Sequence, residues 1–184
     1  MKLRRHALMH AAAIAAAALS AGASGALHVG DTAPTFIAEA ALGGSEFTFD
    51  LGEALKKGPV VLYFYPKAFT SGCTVEAHNF AEATAQFESY GATVIGMSAD
   101  DIDTLKKFSV LECRNKFAVA ADHGAQVMKQ YDAALPNRAD VADRISYVIA
   151  PDGKVIYVFA SMSPQGHVDN TLQAVQRWKT GAAP

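Results

Sequence analysis

Residues 60–76 read Val-Val-Leu-Tyr-Phe-Tyr-Pro-Lys-Ala-Phe-Thr-Ser-Gly-Cys-Thr-Val-Glu. The first six form an unbroken β-branched and aromatic run, which suits a central strand covered on both faces. Pro66 ends it. A short loop follows, and from Cys73 to Tyr90 the apolar residues Val75, Ala77, Phe80, Ala81, Ala83, Thr84 and Phe87 recur at helical spacing until Gly91. Buried strand, loop and long helix in that order make a βα unit. Cys73 falls in the first turn of the helix, at the carboxyl end of a central strand, where open α/β sheets place their sites.

The flanking sequence extends the pattern. Phe36–Phe49 reads as short strands around a Gly43-Gly44 turn, and Leu51–Lys57 as a short helix stopped by Gly58-Pro59. After the long helix come a buried strand over Thr93–Met97, a helix from Ile102 to about Cys113, and a strand over Phe117–Ala120. A short helix follows over Ala125–Tyr131. Arg144–Ala150 and Lys154–Phe159 form a hairpin across Pro151-Asp152-Gly153, and Val168–Lys179 is a closing amphipathic helix. Strands alternate with helices and the chain closes on a hairpin and helix. That order implies an α/β domain with a mixed central β-sheet flanked by helices on both faces.

The whole chain has 184 residues, 51% of them hydrophobic and 18% charged, a formal charge of −2 and two cysteines. That is one domain with an appendage at most, too apolar for disorder and too near neutral for a nucleic-acid surface. Two cysteines exclude a disulfide scaffold and a four-thiolate zinc site. The N-terminus stands apart. Lys2, Arg4 and Arg5 precede an Ala-rich run from Ala7 to Leu19 and small residues from Ala21 to Ala26, with no acid. This is the pattern of a secretory signal peptide over 1–26, cut after Ala23 or Ala26. The run is short and weakly hydrophobic for a membrane span, so no stable membrane contact is expected after cleavage. The domain over 27–184 then carries 13 basic and 18 acidic residues, a charge of −5. Its expected location is outside the cytoplasm, in the periplasm if the source is bacterial, where thiols tend to be oxidised.

Backbone N–H groups at a helix start favour negative charge. A thiol held there ionises below the free value of about 8.5, and the thiolate is the nucleophile. Gly72 lets backbone approach a bound group closely, and the Thr70 hydroxyl can donate and accept. The alternative is a buried structural cysteine, since free Cys is among the most buried residue types.

Pro66, Thr70 and Cys73 reproduce a Pro-x-x-x-Thr-x-x-Cys signature. The run Tyr65-Pro66-Lys67-Ala68-x-Thr70-x-Gly72-Cys73-Thr74-Val75-Glu76 resembles the peroxiredoxins, in particular the bacterioferritin comigratory protein or peroxiredoxin Q branch. The likeness extends over about residues 28–178, through Val29-Gly30-Asp31-Thr32-Ala33-Pro34, Arg144-Ile-Ser-Tyr-Val-Ile149 and Asp152-Gly153-Lys154. The resemblance implies a thioredoxin-like fold and a thiol peroxidase acting on hydrogen peroxide or organic hydroperoxides. It implies that Cys73 is the peroxidatic nucleophile and becomes a sulfenic acid. By the same resemblance Pro66 is expected to shield the site, Thr70 to orient the peroxide and Arg144 to stabilise the charge, with Gly72 and Glu76 as supporting residues. An arginine fork suits that task physically. The other reading of Arg144 is an ion pair with Asp140 or Asp143. The family's reductant is thioredoxin-like, and the assembly is expected to be a monomer or weak homodimer.

In this branch a resolving cysteine commonly lies five residues after the peroxidatic one, a position held here by His78. Cys113, 40 positions after Cys73, is the remaining candidate. Related proteins place theirs in the same helix about one turn earlier, near Ser109 or Val110, and positions three or four apart share a helix face. An intramolecular Cys73–Cys113 disulfide is therefore expected, with local unwinding to bring the Cα atoms within about 7 Å. A one-Cys enzyme with Cys113 a spectator and a permanent structural disulfide are the alternatives. The sequence ends at Pro184 soon after its last expected helix, so a resolving cysteine on a C-terminal extension is not expected. The Gly-Gly-Leu-Gly motif linked to overoxidation is also missing.

Two other functions use the same fold class. Cys73, His78, Cys113 and His123 could serve a copper-delivery module, and a general disulfide oxidoreductase is the other. Neither finds its Cys-x-x-Cys or Cys-x-x-x-Cys here. His28, His123 and His167 fall in expected loops or element ends and carry little weight. No pattern suggests haem, flavin or nucleotide, so the cysteine itself is the expected redox centre and no cofactor is expected.

Overall fold

The structure, a computed structural model, describes residues 26–182. The expected leader, up to residue 25, lies outside the described residues. Strand β1 (Ile37–Leu42) and β2 (Ser45–Asp50) form the first hairpin, turning on Gly43 and Gly44, both at positive φ. Helix α1 (Leu51–Leu55) follows directly, capped by the Asp50 carboxylate, which accepts from the Glu53 amide at 3.2 Å. Then come β3 (Val60–Phe64), α2 (Ser71–Ser89), β4 (Thr93–Ser98), α3 (Ile102–Leu111), β5 (Ala118–Ala121) and α4 (Gln126–Gln130). Strands β6 (Ala134–Leu135), β7 (Arg138–Ala142), β8 (Ile145–Ile149) and β9 (Val155–Ala160) precede the last helix, α5 (His167–Thr180).

Seven strands make one sheet in the order β2-β1-β5-β4-β3-β8-β9. The central β3, β4 and β5 run parallel, while β1 and β8 flank them antiparallel, so the sheet is mixed as expected. Every residue of β3 is buried, and its side chains alternate between two cores. Val60, Leu62 and Phe64 join Leu51, Leu55 and Met128 on the face covered by α1 and α4. Val61, Tyr63 and Tyr65 join Phe80, Phe87, Phe108 and Val175 on the face covered by α2, α3 and α5. Tyr63 stacks on Phe80 with ring centroids 4.4 Å apart, which anchors α2 over the strand that leads into it.

The elements match those expected from the sequence to within a few residues at their ends. The departure is the β6–β7 hairpin, which turns on Pro136-Asn137 and lies outside the main sheet. Its strand β7 is largely exposed and therefore shows no apolar periodicity. Among the described residues no helix is long and apolar enough to cross a membrane.

Candidate active site

The site forms where the carboxyl end of β3 meets the amino end of β8. Phe64 pairs with Ile145, so the loop leaving β3 and the residue entering β8, Arg144, are neighbours by register. The loop from Pro66 to Thr70 is tied down by Asp100, just past β4. Its carboxylate accepts from the Ala68 amide at 2.7 Å and from the Ser98 hydroxyl at 2.8 Å. Phe69 takes positive φ (63°) and sets its ring edge-on to Phe108 at 5.2 Å. A bulky residue rarely adopts that conformation, and here it turns the chain into Thr70, the N-cap of α2.

Cys73 is the third residue of α2 and is buried. Its sulfur accepts a hydrogen bond from Arg144 Nη2 at 3.3 Å. The same guanidinium donates from Nη1 to Glu76 Oε2 and from Nε to the Met162 carbonyl at 3.1 Å. One planar fork thus holds sulfur, carboxylate and backbone together, which a lysine ammonium cannot reproduce. Arg144 is 3% exposed and its surface pairing with Asp140 does not occur. Asp143 instead accepts from the Arg144 backbone amide at 2.7 Å. Burial opposes the Arg144 charge, but Glu76 and Cys73 outweigh it and hold the group firmly protonated. Gly72 has a steric reason to be glycine: a Cβ there would lie 3.1 Å from Arg144 Nη2.

Glu76, one turn after Cys73, is wholly buried. Burial drives its carboxyl up to about 8 despite the opposing pull of Arg144. Its second oxygen, Oε1, has no hydrogen-bond partner and lies 3.6 Å from Nδ1 of His167, also fully buried. His167 carries little weight in the sequence, and the structure places it next to a residue of the site. It begins α5 as expected for an element end, yet packing turns it inward beside the site. Thr70 and Pro66 occupy the rim. The Thr70 hydroxyl is exposed and donates to the Lys67 carbonyl at 2.9 Å.

Cys113 lies just beyond α3, with its amide on the Phe108 carbonyl at 3.0 Å. Both cysteines are free, buried and members of the same apolar core. Burial pushes the Cys113 thiol well up, and the Glu112 carboxylate adds to the shift. Its neighbours are tied to α2 on either side. Glu112 meets His78 Nε2 at 2.7 Å, and Arg114 donates to Glu82 at 3.0 Å. His78, half-buried as a helix residue should be, thus holds α2 to the Cys113 segment. Ser109 is buried and accepts from the Gly44 amide at 2.9 Å, while Val110 is exposed. The four soft groups of the copper reading are not brought together, since His123 pairs with Glu39 at 2.6 Å. Among the described residues no cluster of three or more His, Cys, Asp or Glu side chains is placed to hold a metal ion.

The AhpC/TSA family matches residues 29–158, most of the described chain. The chain belongs to the AhpC/TSA family. It is 34% identical over 122 residues to the chloroplastic peroxiredoxin Q of Triticum aestivum, a match covering 66% of this chain and 56% of the plant protein. The chain spans just over half the length of the plant relatives it matches. It is 34% identical over 118 residues to peroxiredoxin Bcp of Escherichia coli strain K12, covering 61% of this chain and 75% of that protein. The crystal structure of peroxidoxin BcpB from Mycobacterium tuberculosis superposes with a TM-score of 0.73 at 30% identity, over 80% of this chain and 96% of that one. That of the reduced 2-Cys peroxiredoxin of Plasmodium vivax gives 0.74 at 25%, over 84% and 98%. The thioredoxin-like peroxiredoxin fold expected from the motif is therefore the fold of this family member.

Proposed function

We propose that this chain is a thiol peroxidase that reduces hydrogen peroxide and organic hydroperoxides at Cys73. The observation that carries the reading is the Cys73–Arg144–Glu76 arm at the start of α2. A guanidinium hydrogen bond is charge-assisted and favours the anionic sulfur. The thiolate attacks one peroxide oxygen. An S–O bond forms as the O–O bond breaks, sulfur is oxidised to sulfenic acid, and the departing oxygen leaves as water or alcohol after taking a proton. The Thr70 hydroxyl, with free lone pairs beside its bond to Lys67, orients the peroxide. Pro66 narrows the approach from the rim, and the remaining N–H of Arg144 Nη2 meets the charge on the breaking bond.

Cys113 then attacks the sulfenic acid, forming a disulfide with loss of water, and a thioredoxin-like dithiol returns both thiols. Because Cys113 is buried and flanked by two ties to α2, this step requires residues 112–114 to detach and the first turn of α2 to loosen. The same burial favours a second reading, in which Cys113 is a spectator and an external thiol resolves Cys73. The Ala-rich leader with its basic start supports export to an oxidising compartment. N-terminal sequencing of protein from a periplasmic fraction tests that part. The chemistry is tested by mass spectrometry after one equivalent of peroxide. A Cys73–Cys113 crosslink that appears only after peroxide supports internal resolution. Persistent sulfenic acid on Cys73 supports the second reading, and an unmodified Cys73 rejects both.

A further inference from the structure

Two facts about the site have no role in the chemistry above. Glu76 Oε1 is buried without a partner, and an inward-facing imidazole sits 3.6 Å from it. His167 Nε2 lies 2.9 Å from the Ser161 carbonyl, which only accepts, so this nitrogen carries a hydrogen. In the neutral ring Nδ1 is then a bare acceptor, facing Glu76 Oε1 and, at 2.8 Å, the Ser146 hydroxyl, which can rotate to donate or accept. The groups facing the ring are Glu76 from α2, Arg144, Asp143 and Ser146 at the start of β8, the Ser161 and Ser163 backbone after β9, and Phe159 edge-on at 4.8 Å. Burial, with Arg144 adding to it, holds the ring below its ordinary value and so neutral.

We propose that His167 is a positioning residue: its Nδ1 closes from 3.6 Å to hydrogen-bond distance of Glu76 Oε1, shares the proton of the Glu76 acid in that bond, and so sets how much of the Arg144 charge is left for Cys73. The inference rests on the peroxidase reading. With the proton in place Glu76 is an uncharged acid, and the Cys73 thiolate is the one anion on the fork. Oxidation removes that anion. In the balanced step the thiolate, ROOH and the Glu76 acid become sulfenic acid, ROH and the Glu76 carboxylate. The S–O bond forms, the O–O bond breaks, and the released proton neutralises the leaving oxygen. Arg144 exchanges one anionic partner for another, and the buried site keeps its charge throughout. Burying an unpaired charge is costly, which is what this exchange avoids.

The test compares reduced wild type, His167→Gln, Glu76→Gln and the double variant. The readouts are the thiolate ultraviolet absorbance and the peroxide rate constant, each against pH. Gln keeps a hydrogen bond for Ser161 but takes up no proton, and its amide can donate to Oε1. Wild type should show a limb near the Glu76 value of about 8. His167→Gln should move it toward acid by about one pH unit, a tenfold change in proton affinity. Glu76→Gln should lack it, and adding His167→Gln should change nothing more. A limb that stays in place in His167→Gln overturns the proposal, as does an equal shift in the Glu76→Gln background. If His167→Gln fails to fold, nitrogen NMR of the wild-type imidazole replaces it. The Nδ1 signal of His167 must titrate with the limb, and a flat signal overturns the proposal. Failure of wild type to react with peroxide would reject the peroxidase reading instead.

Discussion

Replacing Arg144 with lysine keeps the positive charge and removes the fork. In the native site Nη2 reaches the Cys73 sulfur at 3.3 Å, Nη1 reaches Glu76 and Nε reaches Met162. A lysine ammonium is a single point at the end of a flexible stem, and it can sit on the carboxylate or on the sulfur but not on both at these positions. An ammonium settled on Glu76 leaves the Cys73 sulfur without its donor. Losing one hydrogen bond to a charged group costs about 1.5–3 kcal/mol. At about 1.4 kcal/mol per factor of ten, the rate constant for peroxide should fall by roughly 10- to 150-fold. Folding should suffer less than from Arg144→Ala, because the buried Glu76 keeps a cationic neighbour. The assay is rapid mixing of reduced protein with peroxide under pseudo-first-order conditions, with thermal melts alongside. A rate constant within about threefold of wild type, in a variant that melts normally, would refute the role given to the fork.

Three further outcomes follow from the same geometry. Glu76 titrates higher in the folded protein than its ordinary 4.5, at about 8, so between those values the folded state holds a proton that the unfolded chain has released. Its contribution to stability is complete below 4.5 and is lost as pH rises through 8. His167, shifted down, gives the opposite slope below its ordinary value. Urea midpoints of Glu76→Gln against wild type should show the alkaline decline flattened. Gly72→Ala places a Cβ 3.1 Å from Arg144 Nη2, so the peroxide rate should fall about tenfold while the urea midpoint hardly changes. In His78→Ala combined with Glu82→Gln, both ties around Cys113 are cut. Such pairs contribute about 0.2–1 kcal/mol each, so alkylation of Cys113 in the reduced protein should accelerate about 2- to 30-fold.

Much of this architecture is readable along the chain because it is built from local signals. The run Val60–Tyr65 is apolar on both faces because it lies between two cores, and Gly91 marks the end of α2 because the turn there needs positive φ (79°). Cys73 is legible for the same reason, being placed by a strand end and a helix start that both announce themselves. The β6–β7 hairpin is not, since an exposed two-stranded ribbon buries too little to impose a period. Its Pro136-Asn137 turn was the one available cue. Arg144 has no local signature at all. Its place comes from the β3–β8 register, and only the family resemblance pointed to it. His167 looks like any helix start. Its burial against Glu76 exists only once α5 has packed over α2 and β8. Asp100, which fixes the loop before Thr70, is likewise an ordinary post-strand aspartate until the loop folds onto it.

Whether Cys73 is the group that breaks the peroxide bond is tested most directly by mixing reduced wild type and Cys73→Ser with equimolar hydrogen peroxide and following peroxide loss and free thiols together. Wild type should consume the peroxide as the Cys73 thiol disappears, and Cys73→Ser should consume none above the rate without protein. Equal consumption by the two proteins would contradict the assignment of Cys73 and, with it, the function proposed for the Arg144 arm.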